Sequence, residues 1–373
     1  MDCIIPGPSI RPFCAAIGCL SRIGKELYID FDPIDGLSIR SLNDPKSVFG
    51  SFHFEPGFFE RCTSVPVTDN TEPRRRKRTI HEATTTKTKA SSSSATASPA
   101  DHGGNRNANK NNNNKNKNNK NKNNEDRWTV RIAMKALAAV VRQRRDVLHL
   151  RITTVGDHLA FGFDVQKGSG SVLRVTHTVG YSAAQGVAAV TATDGASELV
   201  VRPGVLATML EPLRRSVEIA LLVNEPHRLV SSVSFAHDDL PEAATSGLAR
   251  GQRGASLKTE TSVGYDDLED VHYVGRAAGD GDDNNAEAPD DLREQVVLVF
   301  TLKEFKAFLM YCSQALVDRE LRVSIQFFWG GKPMVARTEG EHFSAELVMS
   351  TLHHKLLGSI RTVATGSTDA PGA

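Results

Sequence analysis

A chain of 373 residues that is 39% hydrophobic and 24% charged, with 45 Lys/Arg against 44 Asp/Glu, carries enough apolar material for a folded body. This balance excludes a collagen-like or wholly disordered chain, and no apolar run approaches the roughly twenty residues that a membrane-spanning helix needs. A soluble, intracellular protein with no membrane partner is the expectation.

In chain order, one unit recurs four times: a short apolar strand, a helix of about three turns and an amphipathic strand, followed by two alternating apolar/polar strands. The first copy reads CIIPGPSIRPFCAAIGCLSRIGKELYIDF from Cys3, then GLSIRSLN and SVFGSFHFEP. The second runs VRIAMKALAAVVRQRRDVLHLRIT from Val130, then HLAFGFDVQ and SVLRVTHTVGY. The third is LVVRPGVLATMLEPLRRSVEIALLV from Leu199, then RLVSSVSFAH and SLKTETSVGY. The fourth is VLVFTLKEFKAFLMYCSQALVDRELRVSIQF from Val297, then KPMVARTE and HFSAELVMST.

Small sheets are marginal alone, so these β-α-β-β-β modules are expected to pair into domains. Two modules per domain place one domain over residues 1–185 and a similar one over 199–352. A connector over 186–198 joins them, and a short flexible tail covers 353–373. The span 63–126 interrupts the first domain with RRRKR and an Asn/Lys tract that has almost nothing to bury, and it reads as disordered. Such an insertion is thermodynamically cheap when its ends are neighbours.

The net charge of +1 conceals a division. From Glu72 to Asp126 there are 13 Lys/Arg against 5 Asp/Glu, which leaves the rest of the chain at −7. An acidic body repels nucleic acid unless its cations gather on one surface.

The helices suggest such a gathering. In the second, Met134, Leu137 and Val141 share the sheet-facing side, which puts Lys135 and Arg142 opposite, with Arg144 and Arg145 beyond. In the fourth, Leu302, Phe305 and Leu309 face inward and Lys303 and Lys306 outward. Arg214 and Arg215 close the last turn of the third, diluted by Glu211. The first offers Arg11, Arg22 and Lys25 around the buried stripe of Ile10, Phe13, Ile17 and Leu20. Cations near helix C-termini also complement the macrodipole, but four helices agreeing favour a shared positive face.

Catalytic motifs are absent from the sequence: there is no GxxxxGK, no HExxH and no paired CxxC. Cys3, Cys14, Cys19, Cys62 and Cys312 read as small buried hydrophobes in a reducing compartment. His353 and His354 read as surface residues rather than metal ligands. The run from Asp280 to Asp291 has a calcium-loop look but carries Asn285 where the turn needs glycine, so it reads as a solvated acidic loop. No cofactor, metal site or enzymatic activity is expected.

The stretch LSRIGKELYIDF, DGLSIRSLN and SFHFEPGFFERC, and later FTLKEFKAFL, RVSIQF, the GGKP turn and GEHFSAELVMSTL, resemble the Rad-nine subunit family of the nine-one-one checkpoint clamp, within the PCNA-like sliding clamp superfamily. The similarity covers the folded body, skips the insertion and is diffuse between about Gly180 and Asp290. It implies an α+β DNA-clamp fold with helices on one face and antiparallel sheets on the other, assembled as a heterotrimeric ring with Rad-one-type and Hus-one-type subunits. Twelve helices of about 10 Å width give roughly 120 Å of circumference and an opening of about 30 Å, enough for duplex DNA.

Implied partners are duplex or primer-junction DNA bound without sequence preference, a clamp loader, and client proteins that dock through short peptides. The clients would lie against the connector and an apolar pocket near Leu42, Val48, Val187 and Val190. Edge strands would pair across subunit boundaries.

Two features depart from the family. Members usually carry a long phosphorylated tail, whereas only about twenty residues follow Leu352, so either the sequence is truncated or signalling is routed elsewhere. A C-terminal basic import signal is missing, while Arg74, Arg75, Arg76, Lys77 and Arg78 form an internal basic cluster compatible with nuclear import. The rival readings are a homotrimeric replicative clamp and a 3'-5' exonuclease. The latter would need clustered carboxylates holding two metals about 4 Å apart.

Overall fold

The recurring unit becomes four strand-helix-strand-strand-strand modules in the computed structural model, which describes residues 1–63, 128–141, 146–168, 170–234, 259–274 and 295–352. The first module comprises β1 (Asp2–Pro6), α1 (Gly7–Ile23), β2 (Glu26–Asp32), β3 (Gly36–Leu42) and β4 (Val48–Phe54), with β5 (Arg61–Thr63) appended. The second has β6 (Trp128–Ala133), α2 (Met134–Val140), β7 (Val147–Val155), β8 (His158–Gln166) and β9 (Val172–Gly180), then β10 (Ser182–Ala183). The third has β11 (Ser197–Val201), α3 (Pro203–Leu210), β12 (Glu218–Asn224), β13 (Leu229–Ser234) and β14 (Glu260–Gly264), then β15 (Asp270–His272). The fourth has β16 (Gln295–Thr301), α4 (Leu302–Gln314), β17 (Val323–Phe327), β18 (Met334–Gly340) and β19 (Phe343–Met349).

Modules pair by exchanging first strands. β1 lies beside β7 of the second module while β6 returns to lie beside β2 of the first. The second domain repeats the exchange, with β11 against β17 and β16 against β12. Neither module completes a sheet alone, so the modules interlock in two pairs, each termed a domain, and the ten-stranded sheet joins both pairs in one compact body. The sheets run β5-β1-β7-β8-β9, β10-β6-β2-β3-β4-β19-β18-β17-β11-β15, and β14-β13-β12-β16. The ten-stranded sheet crosses from one domain to the other at β4 and β19, which pair over seven residues from Val48↔Met349 to Phe343↔Phe54.

The alternation read in the sequence sets the burial. In β4, Val48, Gly50, Phe52 and Phe54 turn towards the helices, and Gly50 matters because a Cβ there would sit 2.7 Å from Ile23 Cδ1 and 2.8 Å from Leu20 Cδ2. Glycine at this position lets α1 lie close on the strand. The joint between domains is aromatic: Phe54 contacts Phe13, Phe58 and Phe343, and Phe52 meets Tyr311 of α4 edge-on at 4.7 Å.

Cysteine corrects one expectation. Cys3 and Cys62 are direct cross-strand partners on β1 and β5 and form a disulfide, so they are not two independent thiols. The signal lay in the pairing of strands that are 59 residues apart in sequence, which no local pattern reveals. Cys14, Cys19 and Cys312 are unbonded. Beside the disulfide, Asp2 is 7% exposed and accepts two bonds of 2.7 Å from Arg151 and one of 2.8 Å from Arg61. The Arg151 hydrogen bonds hold its carboxyl below the usual range.

Among the described residues no helix is long and apolar enough to cross a membrane. Thr63, at the start of the expected insertion, belongs to β5, paired with Asp2. The rest of that insertion, with Arg74, Arg75, Arg76, Lys77 and Arg78, lies outside the described residues. So do the Asp280–Asp291 run, His353 and His354 with the tail, and Arg142, Arg144 and Arg145.

Candidate nucleic-acid interface

Four helices form one row, α2-α1-α4-α3, in which α1 packs on α2 and α4, and α4 packs on α3. Their apolar stripes set the orientation. α1 buries Ile10, Phe13, Ile17 and Leu20 as the helical spacing predicts; α2 buries Met134 and Leu137 as expected and also Val140, while Val141, the expected third residue, is buried just beyond the helix end. Arg22, Lys25, Lys135, Arg214, Arg215 and Lys303 are exposed, and Arg11 is half-buried.

Each cation has a definite setting. Arg11 donates through Nε to the Gln314 carbonyl at 2.7 Å, and Arg22 Nη1 reaches Met310 Sδ at 3.3 Å, so both α1 arginines lean across the α1–α4 seam. An arginine has five N–H donors, and these bonds leave others available. Lys25 pairs with Asp44, which raises its pKa, but both side chains are largely exposed and such pairs contribute little.

The second domain differs from expectation. α3 stops at Leu210, and Pro212, which cannot donate a helical N–H, leaves tight turns instead: Leu213 N bonds Leu210 O and Arg214 N bonds Glu211 O. Arg214 and Arg215 therefore lie beyond the helix rather than in its last turn. Arg214 pairs with Glu211 at 3.0 Å. Lys306 is half-buried. Desolvation lowers its pKa, Glu211 opposes this and Arg214 adds to it.

On the opposite face of the ten-stranded sheet, Phe49, Val335 and Val348 form a separate apolar cluster covered by Leu42, Val187 and Ala189. This brings together two of the four groove candidates. Val48 is not among them: strand alternation turns it into the main core, and its neighbour Phe49 takes the outer position. Val190 is 97% exposed and stands away from the cluster. Arg40 anchors the connector, donating to Asp30 and to the Val187 carbonyl at 3.4 Å. Sequence reasoning missed Phe49, Val335 and Val348, although counting alternate positions back from the buried Phe52 would have assigned Phe49.

Burial pushes the Cys14 and Cys19 thiols up to about 12, which keeps them protonated and poor as nucleophiles. Among the described residues no three His, Cys, Asp or Glu side chains are grouped to hold a metal.

A family model described as Rad9 matches residues 13–91 and 114–352, which takes in both domains and the helix row from Phe13 of α1 onward. The chain belongs to the Rad9 family. Solved structures similar to this Rad9-family chain include PCNA proteins. PCNA from Thermococcus kodakaraensis matches with a TM-score of 0.57 at 10% identity, covering 94% of this chain and 99% of that one. A PCNA2-PCNA3 complex from Sulfolobus tokodaii matches at 0.55 and 10% identity, with coverages of 94% and 99%. PCNA from Entamoeba histolytica matches at 0.54 and 10% identity, with 94% and 98%. At such identity the likeness establishes the PCNA-like clamp fold, and the family membership supports a sliding-clamp role.

Proposed function

We propose that this chain is one subunit of a heterotrimeric checkpoint clamp, closed by Rad-one-type and Hus-one-type subunits and placed on damaged or stalled DNA by a clamp loader. Its work is encirclement and scaffolding, without catalysis, in the nucleus. The observation that carries this reading is the single row of four helices with cations on its outward side, in a chain whose Rad9 match spans both domains. A ring held by topology needs only weak contacts to phosphate, and weak contacts permit sliding. Client peptides are assigned to the connector and the Phe49–Val335–Val348 cluster beneath it.

Two sheet edges without a neighbouring strand among the described residues fit the same scheme. β9 closes one end of the five-stranded sheet, with Val172 56% and Leu173 44% exposed, and β14 closes one end of the four-stranded sheet. Such edges invite a strand from another chain. Co-expression with candidate partner subunits, followed by light scattering on the purified complex, is expected to give one copy of each. A stable trimer of this chain alone would move the assignment to the homotrimeric replicative clamp.

A further inference from the structure

Cations are not spread evenly along the helix row. From Gly7 to Lys25 and from Met134 to Val140 there are four cations and no carboxylate. Between α1 and α2 lie two recesses of about 500 Å3 each. Both are lined by Ser21 and Ala138, so they form one continuous trough. Its floor is small side chains and its rim is Arg11, Arg22, Lys25 and Lys135. Arg11 and Arg22 are already positioned by Gln314 and Met310.

In the second domain several cations are paired with carboxylates. Glu211 sits beside Arg214 and Lys306, and Glu269 takes both Arg202 and Arg322. The recess between α3 and β14 carries Asp267 and Glu320 against Arg202.

We propose that the α1–α2 trough is a phosphodiester-tracking site that seats one backbone strand, so that DNA lies off-centre in the ring, against the first domain. The small floor admits a sugar-phosphate chain, and the four rim cations meet its phosphates: Arg11, Arg22 and Lys135 face no carboxylate from either helix, and Lys25 gives up only an exposed pair with Asp44. This rests on the reading that the helix row faces DNA.

The test uses the full chain and a fluorescent duplex of about 30 base pairs, with affinity measured across a series of KCl concentrations. The double variant Lys25→Glu/Lys135→Glu is expected to weaken binding more than tenfold and to flatten the log–log salt slope by about 2, since each lost phosphate contact removes about 0.9. Lys303→Glu/Arg215→Glu, with the same charge change, is expected to cost less than about threefold. Ala138→Trp, which fills the trough without altering charge, is expected to weaken binding, and an unchanged affinity there would reduce the trough to a diffuse field. Equal effects of the two charge doubles, or a larger one from the second domain, would overturn the trough while leaving the helix face as the DNA surface. No effect from either double would overturn the underlying reading as well.

Discussion

Phe54→Ala is expected to destabilise the chain by about 3–5 kcal/mol, the range for removing a fully buried phenylalanine. Phe54 is 0% exposed. Its ring lies 5.3 Å from Phe13 and 4.6 Å from Phe58 within the first domain, and 6.4 Å from Phe343 in the second. Its backbone pairs with Phe343 across the domain joint. Truncation therefore opens a cavity where α1, β4 and β19 meet, at the one place where the ten-stranded sheet passes between domains. Urea unfolding of the purified chain reads the loss as a lowered midpoint. Ile34→Ala, at a site 73% exposed, serves as the comparison and is expected to stay within about 0.5 kcal/mol of the parent. Equal midpoints for the two variants would show that the aromatic cluster does not hold the joint.

The second large effect is expected at an edge, not in a core. Leu173→Asp on β9 leaves the isolated fold intact because that side chain is already 44% exposed. In the assembled ring it would forfeit about 1 kcal/mol of apolar burial, since more than half of the leucine is already covered, and bury a carboxylate without a counter-ion, at several kcal/mol more. Loss of one partner by at least a hundredfold follows, while the contact through β14 persists. Native mass spectrometry of the co-expressed complex should then show a two-subunit species containing this chain. An intact trimer would remove β9 from the ring joints.

Much of this architecture was legible in the sequence, because each module repeats two unambiguous periods. The stripe of Ile10, Phe13, Ile17 and Leu20 fixed the buried side of α1, and the alternation in GLSIRSLN fixed the buried side of β3. What was not legible depended on contacts distant in sequence. Cys62 meets Cys3 only because β5 returns to β1, and Lys306 is partly desolvated in the company of Glu211 and Arg214, which belong to a different module. Val48 was misplaced by a single residue, and in a strand one residue is the difference between two faces. The end of α3 could have been found from Pro212, whose effect on the preceding turn is local. The trough needed two helices from different modules to be set side by side, which no single segment announces.

Encirclement itself is tested most directly by topology. The complex of this chain with its partner subunits, loaded on a nicked circular plasmid and washed at high salt, is expected to stay bound and to come off when the plasmid is cut once to give free ends. Retention that vanishes in the salt wash on the uncut circle, or that survives the cut unchanged, would contradict a ring around DNA.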